Sequence, residues 1–340
     1  MQFIKVKISE GEKIRLRLTN EGLINPNYKI VKKGESIFFP VKKPVKGFKL
    51  VQLKGEKFHS KPKNLKDALK NLLTKKQLEE LTTSFDIIGD IAIIEIPGEL
   101  ATKEKQIAQA LLSVHKNLKV VAKKLGAMEG EFRVRPLKVI GGENRTVTTY
   151  KESGCSIRLD LAKVYFSVRL SFERSRLAKL IKPKEKVLVA FAGVGPFALV
   201  IGKSNQSAEI TAIELNPAAV GYMEENVYMN KLKNISPLLG DVNVFLQSKF
   251  PNYFDRVIMP LPHSAELFLG SAFKAIKNNG IIHFYTIVPS QGAFEEGRKK
   301  VLTEAGKSKV KIEFLNERIV RPYSPKEVQV VLDFKVIGHK

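Results

Sequence analysis

The stretch VLVAFAGVGPFALV, residues 187–200, constrains the fold more than any other part of the chain. An apolar run broken once by two glycines reads as a buried strand, a tight loop and the first turns of a helix. From about residue 183 the same alternation repeats: KVLVAF, EITAIEL, SPLLGD, RVIMPL and GIIHFYTIV are strand-like, with helical stretches between them. Such a pattern predicts a doubly wound α/β, Rossmann-like domain built on a parallel sheet. The last run, EVQVVLDFKVI, follows a loop rather than a helix, so it is expected as an antiparallel strand at the sheet edge. Ligands in doubly wound sheets sit beyond the carboxyl ends of the strands, which is where FAGVGPF falls.

Upstream the pattern differs. Residues 1 to about 55 carry short alternating stretches, FIKVKI, KIRLRL, SIFFPV and FKLVQL, that predict a small β-rich module. A basic connector leads into a helical pattern with Leu65, Ala68, Leu69, Leu72 and Leu73 on one face. DIIGDIAIIEI, KQIAQALLSVHKNLKVVAKK, FRVRPLKVI, RTVTTYKE and SIRLDL then give a mixed α+β layout. The expected organisation is a small N-terminal domain (1–58), a basic linker and helix (59–80), an α+β middle domain (81–180) and a catalytic domain (181–340).

A formal net charge of +24 over 340 residues makes a polyanion, above all nucleic acid, the expected partner. Its binding should be steeply salt-dependent. One cysteine, Cys155, excludes an internal disulfide and a cysteine-based metal cluster, and it is expected as a buried apolar residue. No segment has the length or apolarity of a membrane span and the first residues lack a signal-peptide block, so a cytoplasmic protein is expected. The lysine-rich, tryptophan-free composition also suits a thermophile.

Two acids complete a nucleoside site. Glu214 ends the second strand of the α/β region about twenty residues after the loop, as a carboxylate that accepts ribose hydroxyl protons would. Asp241 ends the third, within reach of an adenine amino group. A dinucleotide normally needs a third glycine where the helix opens; Pro196 and Phe197 stand there instead. With an antiparallel last strand, the site favours S-adenosylmethionine.

FAGVGPF, IELNP, MEENVYMNKL (with Asn226 and Asn230) and DRVIMPLPHSAELF together resemble the cofactor domain of the tRNA (guanine-37-N1)-methyltransferase family of archaea and eukaryotes. YFSVRLSFERSRLA, FDIIGDIAIIEIP and GGENRTVTTYKESGC resemble its catalytic junction and middle domain, so the likeness covers about residues 80–340; the N-terminal module is similar, less distinctly, to that family's domain for the outer corner of tRNA. The resemblance implies methylation of N1 of guanosine 37 in the anticodon loop, with no metal and one chain per tRNA. It implies a cofactor set of Phe166, Arg174, Phe191, Ala192, Gly193, Val194, Gly195, Glu214, Leu215, Asn216, Asp241 and Val242. The expected catalytic residues are Glu173, Arg133 and Tyr165, carried over from the family, with Pro260 and Pro262 from the loop that departs from it; the expected substrate contacts are Arg135, Arg145, Arg169 and His263.

Read without the family, Ser171 would cap a helix through Ile181, and Glu173 would be a first-turn acid four residues from Arg169. Methylating a ring nitrogen that carries a proton requires a group to accept that proton, and the resemblance gives this role to Glu173. Charge then moves to O6, where a guanidinium stabilises it; the resemblance points to Arg133, with Arg135 and Arg145 as competitors. Two positions depart from the family: Ala190 replaces an Asp before the glycine loop, and Pro260 replaces an Asn that can hold the guanine edge. Proline offers no side-chain donor, which leaves open a second activity at C7 of the larger base 4-demethylwyosine. Three alternatives remain: an aminocarboxypropyl transferase of the wyosine pathway, which the intact FERSR stretch opposes; an amino-group methyltransferase acting on guanine N2 or adenine N6, opposed by the lack of its Asn/Asp-Pro-Pro-aromatic loop; and a non-catalytic RNA-binding protein, opposed by the intact loop, Glu214 and Asp241.

Overall fold

The computed structural model describes residues 1–57, 62–126, 130–261 and 263–339. Pro262 lies outside them. Residues 1–67 and 68–340 form two compact units.

In the first unit, β1 (Gln2–Lys7), β2 (Val31–Lys33), β3 (Ser36–Pro40) and β4 (Leu50–Gln52) make an antiparallel sheet in the order β2-β3-β1-β4. KIRLRL, expected as a strand, belongs instead to helix α1 (Gly11–Asn20). Its apolar residues alternate, but Ile14 and Leu18 are four apart and pack together on the sheet core with Ile4, Val6 and Phe39, while Leu16 faces solvent. Ion pairs Glu12–Arg15 and Arg17–Glu21 fall at helical spacing on the exposed side.

The following helical pattern breaks into α2 (Leu65–Leu69) and α3 (Lys75–Glu80), leaving Leu72 exposed between them. Thr74 explains the restart: its hydroxyl accepts from the Gln77 N–H and Gln77 returns the bond, a capping box. The middle sheet runs β5-β6-β7-β8, comprising β5 (Phe85–Ile88), β6 (Ile91–Ile94), β7 (Val120–Lys124) and β8 (Leu137–Gly142). Only β6 and β7 are parallel, joined by α4 (Glu104–Val114), which buries Ile107, Ala108 and Leu111. A hairpin of β9 (Val147–Glu152) and β10 (Cys155–Asp160) follows, then α5 (Ser171–Leu180). Ser171 is the first residue of α5 and not its N-cap, a position held by Leu170; the preceding 3-10 turn, 168–170, feeds the helix directly. Leu177 of α5 is fully buried, worth about 2 kcal/mol.

The remaining chain winds β11 (Lys186–Ala190), α6 (Pro196–Ser204), β12 (Glu209–Glu214), α7 (Pro217–Met229), β13 (Ile235–Leu239), α8 (Val242–Ser248), β14 (Phe254–Met259), α9 (Leu269–Ala275), β15 (Ile276–Pro289), α10 (Ala293–Lys307), β16 (Val310–Ser324) and β17 (Glu327–His339). The sheet order is β13-β12-β11-β14-β15-β17-β16, and β11 to β15 are parallel. Val187, Leu188, Val189 and Ala190 are wholly buried, as a central parallel strand covered on both faces requires. The α/β expectation holds, with one change. β17 is antiparallel but interior, since β16 pairs outside it. β16 was unread in the sequence because its burial barely alternates and charges run along it, the form of a protected edge.

Candidate functional site

β11 is the switch point of the sheet, with β12 on one side and β14 on the other. The loop after it is shaped by Phe191 (φ +55°), Gly193 (φ +57°) and Gly195 (φ +85°). A Cβ on Gly195 would stand 2.8 Å from Met223 Cγ, so the loop closes on α7 only with glycine there. At Gly193 a Cβ would meet no side chain within 4 Å, only the Tyr165 carbonyl at 3.8 Å. Gly193 therefore leaves its backbone open toward the neighbouring space.

That space is a cavity of about 260 Å³. Its walls include Phe191, Ala192, Gly193, Glu214, Leu215, Asn216, Asp241 and Pro260, together with Arg133, Tyr165, Phe166 and Arg174. Both oxygens of Glu214 are fixed from the backbone: Oε2 accepts from Gly193 N–H and Oε1 from Asn216 N–H, each at 2.8 Å. Asp241 caps α8, accepting from Asn243 N–H at 2.6 Å. Each carboxylate has spare lone pairs, and Phe191, Leu215, Leu261 and Phe268 add apolar wall. A nucleoside with two vicinal hydroxyls to donate and a flat base fits these acceptors and apolar walls.

Not every expected cofactor residue lines the cavity. Val194 and Val242 are core residues, and Gly195 shapes the loop without reaching the wall. Arg174 reaches the wall but is 1% exposed and committed elsewhere. Its guanidinium donates twice to Glu152 at 2.6 Å, once to the Ser167 carbonyl, and lies over the rings of Phe166 and Phe197.

A second cleft, of about 370 Å³, shares the wall of Arg133, Tyr165, Phe166 and Ser167. Its other side is basic, with Lys124, Arg135, Arg169 and Arg321 against a single acid, Asp86. Arg133 itself sits at φ +52°, an uncommon backbone for any residue but glycine. Arg169 forks onto Asp86 and Arg135 donates to the Gly126 carbonyl. Arg145 is elsewhere: it clamps Asp90 and Glu143 by a separate opening near β9. His263 Nε2 lies 3.1 Å from the Tyr323 hydroxyl oxygen. Burial, then Arg133, push its pKa below the ordinary value, so the ring is neutral at pH 7.

Glu173 is the largest departure from a simple reading. It is 2% exposed and lines neither opening. Its Oε2 accepts from Arg176 Nε and Nη2 at 3.0 and 2.9 Å and from the Tyr285 hydroxyl at 2.7 Å. Arg176 continues to Asp333, Asp333 to His283, His283 to Arg256 and Arg256 to Glu185. Arg256 can only donate, so His283 Nε2 accepts and its Nδ1–H faces Asp333. Sequence reading found neither this chain of partners nor the wall residues Leu261, Phe268, Arg321 and Tyr323. The first two stood beside residues already singled out, in the DRVIMPLPHSAELF stretch.

Asn226 and Asn230, noticed only as part of a motif, have a clear task. Their amides bond the N–H and C=O of Arg158 and Ser156, fastening α7 to β10 as a strand would. Among the described residues no cluster of three or more His, Cys, Asp or Glu could hold a metal, and no helix is long and apolar enough to cross a membrane. Cys155 is buried, its thiol pushed up in pKa by that burial.

A switch-point glycine loop, a carboxylate at the end of the next strand and a parallel sheet completed by antiparallel β17 and β16 define a Rossmann-like methyltransferase. Residues 148–313 match the TRM5/TYW2 methyltransferase domain, residues 65–146 the TYW2 N-terminal domain and residues 4–49 the tRNA methyltransferase 5 N-terminal domain. The chain is 40% identical over 333 residues to tRNA (guanine(37)-N(1))-methyltransferase Trm5b of Pyrococcus abyssi, covering 98% of each protein. It is 35% identical over 254 residues to the tRNA (guanine(37)-N(1))/4-demethylwyosine(37)-methyltransferase Taw22 of Nanoarchaeum equitans, covering 60% of this chain and 83% of that one. The solved complex of aTrm5 and tRNALeu aligns with a TM-score of 0.83 at 33% identity, covering 99% of this chain and 100% of that one. The chain belongs to the TRM5/TYW2 methyltransferase family.

Proposed function

We propose that the protein transfers a methyl group from S-adenosylmethionine to N1 of guanosine 37 in tRNA. The observation that carries the reading is the wall shared by the two openings: Arg133, Tyr165, Phe166 and Ser167 stand between an acid-tipped, apolar nucleoside cavity and a cleft lined by basic side chains. A flipped base entering from the basic side would meet the cofactor at that wall. The relatives' names and the tRNA complex of a similar structure point the same way.

S-adenosylmethionine supplies a methyl group already activated on a sulfonium, and sulfur keeps the bonding pair when it leaves. Glu214 and Asp241 would hold its ribose and adenine, and the open backbone at Gly193 would let it approach. The protein must then align the acceptor and manage its proton, the first of which is a proximity effect. Glu173, buried beside Arg318 and outside both openings in this structure, would accept the proton from N1 once uncovered, and Arg133 would stabilise the charge that moves to O6. Arg135, Arg169 and Arg321 meet the anticodon-loop phosphates. Pro260 on the cavity wall supports a second substrate: a wall without an amide at this point tolerates a tricyclic base, so C7 of 4-demethylwyosine is also within scope. We further read residues 1–58 as the part that meets the outer corner of tRNA, 59–80 as linker, 81–180 as the middle domain and 181–340 as the catalytic domain. The protein would work as a cytoplasmic monomer.

The test is methyl transfer from labelled cofactor to two tRNA transcripts, with guanosine or adenosine at position 37, followed by nucleoside analysis. 1-Methylguanosine from the first alone is expected. Label in neither transcript, but in tRNA carrying 4-demethylwyosine, would restrict the enzyme to the later substrate.

A further inference from the structure

The two oxygens of Glu173 are treated very differently by the fold. Oε2 takes three hydrogen bonds, two from Arg176 and one from Tyr285. Oε1 is buried and takes none; Arg318 Nη1 is 3.1 Å away, but its N–H is not directed at the oxygen. A buried carboxylate oxygen without a hydrogen bond is costly and needs a reason.

The partners on the two sides also differ in mobility. Tyr285 is wholly buried, its ring edge-on to Phe197 of the cavity wall, and Arg176 is pinned at its far end by Asp333. Asp333 is held in turn by His283 and Asn316. Burial, then the negative charge of Glu173, push the Tyr285 hydroxyl well above its ordinary pKa, so it remains a donor at any working pH. Arg318, by contrast, is about one-third exposed and stacks 4.7 Å over the exposed ring of Phe172. Three residues further along β16, Arg321 lines the basic cleft. Among the described residues, Arg318 is therefore the only partner that can leave without breaking the buried network.

We propose that Tyr285 and Arg176 are positioning residues for the proton acceptor: they anchor Oε2 of Glu173 and leave Oε1, uncovered when Arg318 turns away, as the oxygen that takes the proton. The inference rests on Glu173 being the general base. In that step the N1–H bond breaks, an Oε1–H bond forms, and the electron pair stays on N1 for bonding to the methyl carbon. Solvent later takes the proton from Oε1. An anchored carboxylate presents one lone pair in a fixed direction, which is what proton transfer at hydrogen-bond distance demands.

The experiment is a double-mutant cycle on the single-turnover rate of methyl transfer to the guanosine-37 transcript, using the full chain with Tyr285→Phe, Glu173→Gln and both. Phe keeps the ring packing and removes only the hydroxyl. Expected results are a fall of about tenfold or more for Tyr285→Phe with unchanged cofactor and tRNA binding, and no further fall when it is added to Glu173→Gln. A Tyr285→Phe rate equal to or above that of the unaltered enzyme overturns the proposal, as does a full Tyr285→Phe effect in the Glu173→Gln background. If Glu173→Gln itself keeps the full rate, the general-base reading fails, and the positioning proposal with it; that outcome is distinct from the others. Should Tyr285→Phe not fold, Arg176→Lys, which keeps the charge but loses the double donation, is put through the same cycle with the same criteria.

Discussion

Replacing Arg174 with methionine separates two roles that the sequence alone left merged. The family resemblance assigns Arg174 to the cofactor, whereas its guanidinium is spent on Glu152 through two 2.6 Å hydrogen bonds, with side chains 1% and 7% exposed. Removing one partner of a buried pair strands the other charge, at a cost of about 3–5 kcal/mol. Glu152 is part of β9, and Ser167, which receives the third N–H, leads into α5, so the loss would fall on the seating of α5 against β9. At roughly 2–4 °C per kcal/mol for a unit of this size, a 4 kcal/mol loss lowers the melting point by about 8–16 °C. Glu152→Leu should behave similarly. The double replacement Arg174→Met/Glu152→Leu should recover much of that loss, because two apolar side chains of similar bulk leave no unpaired charge. Calorimetry gives the melting points, and equilibrium titration with S-adenosylmethionine gives cofactor affinity at a temperature where every variant is folded. An Arg174→Met melting point within about 3 °C of the unaltered protein, combined with lost cofactor binding, would refute the strut and restore the direct contact.

Glu214→Gln should weaken S-adenosylmethionine binding about 10- to 100-fold, since one backbone N–H then faces an amide donor and a charge-assisted bond is lost; unchanged affinity by titration would rule this out. Pro260→Asn should lower the ratio of 4-demethylwyosine to guanosine methylation about tenfold, each activity measured on matched tRNA, and a ratio that does not move would remove Pro260 from substrate choice. Burial, only partly opposed by Asp333 and reinforced by Arg256, depresses the pKa of His283, so below about pH 6.5 the unfolded chain binds a proton that the folded one refuses. Stability should therefore be full above that pH and fall as pH drops, by up to about 1.4 kcal/mol per pH unit from this group, and His283→Gln should lose less between pH 7.5 and 5.5 in urea denaturation. Equal losses in the two proteins would contradict it.

The parts of the fold that were legible in the sequence are those where one residue pattern has one physical solution. A fully apolar run such as VLVA must be covered on both faces, and only a central parallel strand does that here. KIRLRL has two solutions, because three apolar residues at alternate positions also place the first and third on one face of a helix. The choice was made by Leu18 and Ile14 packing on Phe39 and Ile4, contacts that no local pattern contains. β16 has the opposite problem: as the sheet edge it needs charges to block further pairing, and those same charges make it read as a loop. Its partner β17 was correctly antiparallel and wrongly terminal for that one reason.

Site residues divide along similar lines. Glu214 and Asp241 are set by strand ends, so spacing from the glycine loop finds them. The surroundings of Glu173 are set by the crossing of α5 over β15 and β17, whose residues Tyr285 and Asp333 lie more than a hundred positions away. No spacing rule reaches across that interval. A carboxylate anchored from the sheet keeps its orientation whatever base enters, so a change of substrate is expected to act through other residues, such as Pro260 on the nucleoside-cavity wall. If Glu173 is the proton acceptor, a change of Pro260 in the loop after β14 is expected to alter which base is methylated while leaving the hydrogen bonds to Oε2 in place.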